Sequence, residues 1–402
     1  MVGPLQQTIK CGDGTGVAQV INSCFDKLVH PAFSLFGRSW SCFQVFGGTG
    51  VVLAIGLRLT LARLSGLSVL VMAGLIVADL VSCLALIMIT KIILGEERLT
   101  YCHHEIAIIL VTALLSWLLG EPVLSYLDVS ILGLGLGLMC GRVGCLMAGC
   151  CHGTPFRCGV RYGGEHVAAG FSPFYSMTRF FPVQIIESIW VGGIVAAGCL
   201  LVLLEFTPGA ALSLYLCAYG AGRFFLEFLR ADTDRAYLWG FSESQWLSLL
   251  LMWAVVVGDF LRILPFQWWH VATTAAVSLT MLAVAMKREV NYQLLLPRHV
   301  EEIAQVLDST SSHADGNGAG ARHARRGIPI DCTSLGVQIS AGRIKVAGRF
   351  LYHYALSNKT ANMTEASATA LARLIVQIRH PAGRSDIIAG NRGVFHLLVT
   401  GP

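Results

Sequence analysis

Long apolar runs separated by short polar breaks dominate the first 286 residues of this chain. Eight runs stand out: Gly47 to Leu61, Leu67 to Leu94, Ile106 to Leu119, Leu124 to Gly149, Val183 to Leu204, Ala210 to Leu229, Trp246 to Leu264 and Trp268 to Met286. Each qualifies or comes close to the roughly 20 predominantly apolar residues that a spanning helix needs. The third is short, and the last two read equally as one broken unit. The pattern therefore predicts an all-α polytopic membrane protein with seven or eight transmembrane helices.

Residues 1–42 read as a mixed N-terminal lead-in and interfacial segment ending near His30-Pro-Ala-Phe-Ser-Leu-Phe-Gly37, with the transmembrane domain over 43–286. No compact basic stretch leads into an apolar run with a small-residue cleavage site, so a cleaved signal peptide is not expected. Beyond Met286 the character changes. Residues 287–326 read as a linker, because Ser309 to Arg326 is small, polar and basic. Residues 327–402 read as a small α+β soluble C-terminal module. Strand-like content lies at Gly336 to Ser340, Arg349 to Leu356 and Val394 to Thr400, and a helix over Thr364 to Arg379 has a threonine N-cap and a basic last turn.

Composition agrees with the pattern. Hydrophobic residues make up 54% of the chain and charged residues 13%, against about a quarter charged in an ordinary soluble domain, and the mean hydropathy is +0.64. A nucleic-acid partner is not expected, and membrane lipid is. Arg58 and Arg63 close the first run and favour a cytoplasmic first loop, hence an outside N-terminus and an outside Cys150 to Pro182 loop. The basic residues near the last run favour an inside C-terminus, which an eight-span count opposes, so its side stays open.

Charge inside apolar runs marks candidate chemistry, because an intramembrane arginine is costly unless an anion or carbonyls hold it. One such place is Cys140-Gly141-Arg142-Val-Gly144-Cys145-Leu-Met-Ala-Gly-Cys150-Cys151-His152-Gly153. A lipid phosphate would satisfy Arg142 as well as a carboxylate would. A second is Tyr219 to Asp232, where Arg223 and Glu227 share a helix face; Arg230 and Asp232 read equally as end-of-helix charges. A third is Tyr101-Cys-His103-His104-Glu105, which offers a proton acceptor near neutral pH or a surface turn. Of the 13 cysteines, five cluster between Cys140 and Cys158. They read as small packing residues, a redox pair or metal ligands, though adjacent Cys150 and Cys151 do not easily share one ion.

The ordered set of the Pro-Ala-Phe-Ser-Leu-Phe-Gly lead-in, Gly141-Arg142-Val-Gly144, Pro182-Val-Gln184-Ile-Ile-Glu187 and Tyr219-Gly-Ala-Gly-Arg223-Phe-Phe-Leu-Glu227-Phe resembles the prolipoprotein diacylglyceryl transferase family. The resemblance runs from about His30 to Leu264. It implies a multi-pass protein of the cell inner (cytoplasmic) membrane. Its reaction moves the diacylglyceryl group of phosphatidylglycerol onto a prolipoprotein cysteine thiol and releases glycerol phosphate. It also implies catalytic roles for His103, Arg142, Arg223 and Glu227, with His103 as base, the arginines as a phosphate clamp and Glu227 orienting Arg223. Substrate contacts are expected from Gly141, Gly144, Cys145, Cys150, Cys151, Gly153, Gln184 and Glu187. No cofactor and no metal ligand set are implied. The family's tyrosine, asparagine and glutamate are here Phe43, Cys145 and Cys150, which marks a cysteine-rich branch. Those departures keep two other readings open: a membrane thiol redox or metal-binding protein on the same scaffold, and a catalytically silent lipid-binding homologue.

Overall fold

The computed structural model describes residues 7–9, 16–35, 37–95, 101–175, 178–232, 235–287, 290–314, 330–346, 349–359, 362–380 and 383–400. Strand β1 (Gln7–Ile9) and helix α1 (Gly16–Leu28) come first, and the hairpin β2 (Ala32–Leu35) and β3 (Arg38–Ser41) leads into the bundle. The bundle begins with α2 (Cys42–Leu64), α3 (Val69–Leu94), α4 (Tyr101–Leu118) and α5 (Val123–Ala148). An intervening segment carries β4 (Pro155–Arg161), the short α6 (Gly164–Ala168) and β5 (Arg179–Phe180). Helices α7 (Val183–Leu203) and α8 (Ala210–Leu226), the small hairpin β6 (Tyr237–Leu238) and β7 (Phe241–Ser242), α9 (Glu243–Phe260) and α10 (Trp268–Lys287) complete it.

All eight apolar runs are helical. Six of the helices, α2, α3, α4, α5, α7 and α10, are long and apolar enough to cross a membrane. They leave outward-facing aliphatic side chains such as Leu70, Ile92, Leu110, Ile189 and Leu279 exposed, as lipid contact requires. The last two runs are separate helices joined by a turn rather than one broken unit. Boundaries follow local chemistry. The Ser68 hydroxyl accepts from Val71 N at 3.3 Å to start α3, and Gly95, at φ 74°, closes it in the left-handed region that glycine tolerates.

Helix α5 is the central post, buried over much of its length and packed against α2, α4, α7 and α8. Small residues make this close approach feasible: a Cβ at Gly50 of α2 would lie 2.9 Å from Cys140 Cβ. Asp128 of α5 caps the start of α8, its carboxylate oxygens accepting from Gly209 N and Leu212 N at 2.7 Å each. That fixes the register of the helix carrying Arg223. Arg58 is buried and paired with Asp79 of α3 at 2.7 Å. It is therefore not a flanking charge, and of the two arginines expected to orient the first loop only exposed Arg63 remains at a surface.

The C-terminal region contains a six-stranded antiparallel sheet in the order β1-β11-β12-β10-β9-β8, where β8 is Asp331–Cys332, β9 Val337–Val346, β10 Arg349–Asn358, β11 Arg384–Ala389 and β12 Phe395–Thr400. Two helices, α11 (Pro297–Ala314) and α12 (Glu365–Arg379), accompany it. The three expected strands lie in β9, β10 and β12, and α12 starts at the expected cap, Thr364 accepting from Ser367 N at 3.2 Å. The stretch expected to be linker differs. Residues Pro297–Ala314 are helical because Val300, Ile303, Ala304 and Leu307 form one apolar stripe that is buried; residues 315–329 lie outside the described residues.

The sheet is not a separate body. One core joins Ile303, Leu371, Ile375, Leu397 and Val399 to Tyr162, Tyr175 and Phe180 of the segment after α5. Thr178 donates to Ile378 O at 3.2 Å. On the other side Arg179 pairs with Asp26 of α1 at 2.6 Å.

Candidate functional site

The end of α5 is where four cationic side chains converge. Arg142, two turns before the helix stops, has its Nε 2.9 Å from Glu187 Oε2 on α7. Arg223 on α8 reaches the same oxygen at 3.4 Å and Glu227 Oε2 at 3.0 Å. Tyr219 donates to the other oxygen of Glu187 at 3.1 Å. The chain then turns back: after Leu226 a single 3-10 turn ends at Arg230, whose Nε lies 2.9 Å from Asp232 Oδ1. Arg235 closes on Glu227 and reaches Asp232 at 3.2 Å. Four guanidiniums thus share three carboxylates, Glu187, Glu227 and Asp232, so the arginine–carboxylate group taken by itself carries one excess positive charge.

Two backbone segments hold this group together. Gly153 forms a β-bridge with Arg230, flanked by Thr154 N to Leu229 O at 2.8 Å and Ala231 N to His152 O at 3.0 Å. A Cβ at Gly153 would lie 2.3 Å from Phe181 O, so only glycine fits between these strands. His152 is half-buried among Phe171, Tyr175 and Phe180, and desolvation holds its imidazole below the usual histidine range.

The cysteine turn packs beside the arginines. Gly149, at φ 85°, and Cys151, at φ 53°, both adopt left-handed conformations, the second a costly one for a residue with a Cβ. Together they fold the chain back so that the sulfurs of Cys145, Cys150 and Cys151 lie within 4.8 Å of one another. The Cys151 thiol is held well below its usual range by hydrogen bonds from Cys145 and Cys150 and by the nearby Arg230 and Arg142 charges. Cys140 is buried against α2, and Cys158 sits apart on β4.

A cavity of about 750 Å³ opens from this cluster. Arg142, Arg223, Arg230, Arg235, Cys145, Cys150 and Cys151 line one end, the Arg58 and Asp79 pair the other, and α2, α3, α4 and α5 supply aliphatic walls between them. Gly133, which a side chain would bring to 2.4 Å from Arg58, and Arg142 are nine residues apart on α5, about 13 Å at 1.5 Å per residue. The cavity is polar at both ends and apolar between. Phe43 and Gly141 line it directly, and Gly144 lets Phe43 approach α5, its would-be Cβ 3.3 Å from Phe43 Cα.

The expected residues divide. Arg142, Arg223, Glu227, Glu187 and the three cysteines meet in one cluster, with Gly144 and Gly153 permitting close approaches and Gly141 only lining the cavity, where a Cβ would meet nothing within 4 Å. Gln184 is a brace: its Nε2 donates to Cys150 O at 3.0 Å and to Tyr162 Oη at 3.3 Å. His103 is elsewhere, half exposed, with Nε2 2.6 Å from Glu243 Oε1 of α9. Its neighbour His104 lines the cavity with both buried ring nitrogens lacking a partner among the described residues. The difference is one residue of helical phase: α4 starts at Tyr101, so adjacent histidines point about 100° apart. Arg230, Asp232 and Arg235 belong to the cluster although they follow the helix end, and Asp79 was visible only as a charge in an apolar run.

Comparison with known proteins places these residues in a family context. Residues 64–261 match the family model described as prolipoprotein diacylglyceryl transferase. The chain is 35% identical over 135 residues to phosphatidylglycerol–prolipoprotein diacylglyceryl transferase 2 of Clostridium perfringens, covering 32% of this chain and 49% of that one. It is 34% identical over 140 residues to the Clostridium tetani enzyme of that name, covering 34% of this chain and 52% of the relative. A Dehalococcoides mccartyi relative with the same name is 32% identical over 137 residues, covering 34% and 50%. The chain thus spans about half the length of the curated relatives it matches.

Proposed function

We propose, from the premise that residues 64–261 belong to the prolipoprotein diacylglyceryl transferase family, that the protein moves the diacylglyceryl group of phosphatidylglycerol onto the cysteine thiol of a prolipoprotein. The observation that carries this reading is the four-arginine, three-carboxylate cluster at one end of a cavity of about 750 Å³ with aliphatic walls. A phosphodiester supplies one negative charge and acceptor oxygens for Arg142 and Arg230, while the aliphatic walls take its acyl chains. Glu187 and Glu227 hold the guanidiniums in place before substrate arrives, so little reorganisation is needed when charge develops on the leaving phosphate.

The reaction follows from these placements. The acceptor thiol loses its proton to His104, the histidine with free ring nitrogens on the cavity wall. Its sulfur forms a bond to the glycerol carbon as the carbon–oxygen bond to phosphate breaks. Glycerol phosphate departs with the electron pair, its charge held by Arg142, Arg223 and Arg230. Phe43 lines the cavity and contributes shape only.

The cell inner membrane is the proposed location, with eight crossings over 42–287. Segment 149–182 and the C-terminal sheet share one core, and α7, α8, α9 and α10 lie between them, so an even number of crossings separates the two. This supports an outside C-terminal region if the Cys150 to Pro182 loop is outside. The test is release of glycerol phosphate from headgroup-labelled phosphatidylglycerol in nanodiscs. Release that depends on a thiol acceptor peptide supports transfer; equal release without acceptor would mean lipid hydrolysis instead, and no release would reject the reading.

A further inference from the structure

We infer that Cys145, Cys150 and Cys151 form a three-thiolate site for zinc, whose open fourth position receives the thiol of the acceptor cysteine. The three sulfurs already lie within 4.8 Å of one another. A tetrahedral ion with bonds of about 2.3 Å holds its sulfurs roughly 3.8 Å apart, so closing on an ion asks for about 1 Å of movement. The obstacle expected for neighbouring cysteines is removed by the left-handed backbone at Cys151, φ 53°. That conformation costs energy in a residue with a Cβ, and here it turns the second thiol back toward the first and toward Cys145. Gln184 braces the turn through Cys150 O at 3.0 Å.

The surroundings suit this ion's charge. Three thiolates and Zn²⁺ carry one net negative charge, and Arg142 and Arg230 line the same end of the cavity. Three protein ligands with a fourth position facing a cavity is the arrangement of reactive rather than structural zinc. An ion there deprotonates a coordinating thiol. In the proposed transfer, on which the identity of the fourth ligand rests, the acceptor thiol gives its proton to His104 as it binds the ion. The bound sulfur then attacks the glycerol carbon, and the phosphate leaves with the bonding pair. The thioether product is a weaker ligand than a thiolate and departs. Soft thiolate ligands also suit monovalent copper, but a trigonal copper site leaves no position for the acceptor.

The full chain in detergent, reduced and washed with chelator, is loaded with Zn²⁺ or Co²⁺, freed of unbound metal and assayed for bound metal per chain. Cys145→Ser and Cys151→Ser are compared with Cys199→Ser, a cysteine of α7 outside the trio, and elution volume and helicity confirm that each variant folds. The expected result is one ion per chain in the parent and in Cys199→Ser, at least tenfold weaker binding in the other two, and a cobalt–thiolate absorption band that shifts when a cysteine peptide is added. Absent binding, binding unchanged in the trio variants, a disulfide within the trio of the protein as isolated, uptake of Cu⁺ alone, or a band indifferent to the peptide overturns the inference. Full lipid transfer by metal-free protein overturns it while leaving the transferase reading intact; one bound zinc without any lipid transfer does the reverse.

Discussion

Glu187 on α7 stands between two arginines, its Oε2 2.9 Å from Arg142 Nε on α5 and 3.4 Å from Arg223 on α8. All three side chains are buried. Breaking such a contact by removing one partner costs about 3–5 kcal/mol, because the remaining charges stay buried without a counter-ion. Glu187→Ala is expected to lower the unfolding midpoint clearly and to abolish lipid transfer, while Glu187→Gln, which keeps the volume, retains the fold and loses activity. Thermal unfolding in detergent, run beside the transfer assay, checks both.

The adjacent histidines of α4 separate the proposed base from a peripheral ion pair. His104→Ala is expected to reduce turnover by about 10²- to 10⁴-fold, the usual contribution of a positioned base. His103→Ala, which removes only a half-exposed contact with Glu243, is expected to change turnover less than tenfold. Initial rates at saturating lipid decide the matter, and the reverse order would return the base to His103.

Gly153→Ala tests the strap that ties the cysteine turn to Arg230. The new Cβ would meet Phe181 O at 2.3 Å, so the 152–154 segment has to leave residues 229–231. Transfer is expected to fall at least tenfold with the helical content of the bundle unchanged, measured by circular dichroism and the same assay.

The C-terminal sheet carries a pH dependence of known sign. His380 Nε2 lies 2.8 Å from the Tyr354 hydroxyl oxygen, within hydrogen-bond distance, and burial, with a smaller push from Arg379, lowers its pKa to about 4. Against an unfolded value near 6.5, the folded state resists protonation that the unfolded state accepts. This contribution is fully present above about pH 6.5 and is lost as the pH falls from there toward 4, by up to about 3 kcal/mol. The hydrogen-exchange protection factors of β10 and α12, with the intrinsic pH dependence divided out, are expected to fall between pH 7 and 5, and His380→Phe to flatten that dependence.

The sequence pattern carried all eight bundle helices, because the cost of exposing a backbone to lipid leaves few alternatives to a helix. Arg142, Arg223 and Glu227 were legible for the same reason, as charges too costly to bury without purpose. The partners of Glu187 were not, since they lie 45 and 36 residues away and meet it only through packing. Arg230 and Asp232 read as end-of-helix charges and Arg235 gave no signal, because all three follow a helix end, and only the return of the chain against Gly153 brings them inside. Helix α11 was hidden by its polar tail, although Val300, Ile303, Ala304 and Leu307 carried the period that marks it. The phase of α4, which decides between His103 and His104, depends on tertiary contacts that no local signal encodes.

The most direct measurement is the mass of a prolipoprotein peptide bearing its lipobox cysteine after incubation with the purified protein and phosphatidylglycerol. The transferase reading predicts a shift of one diacylglyceryl group, carried on the cysteine sulfur, that disappears with Arg142→Ala and persists with Cys199→Ser. A peptide whose mass never changes, with protein shown to be folded and to hold phosphatidylglycerol, would contradict it and leave a lipid-binding homologue without turnover.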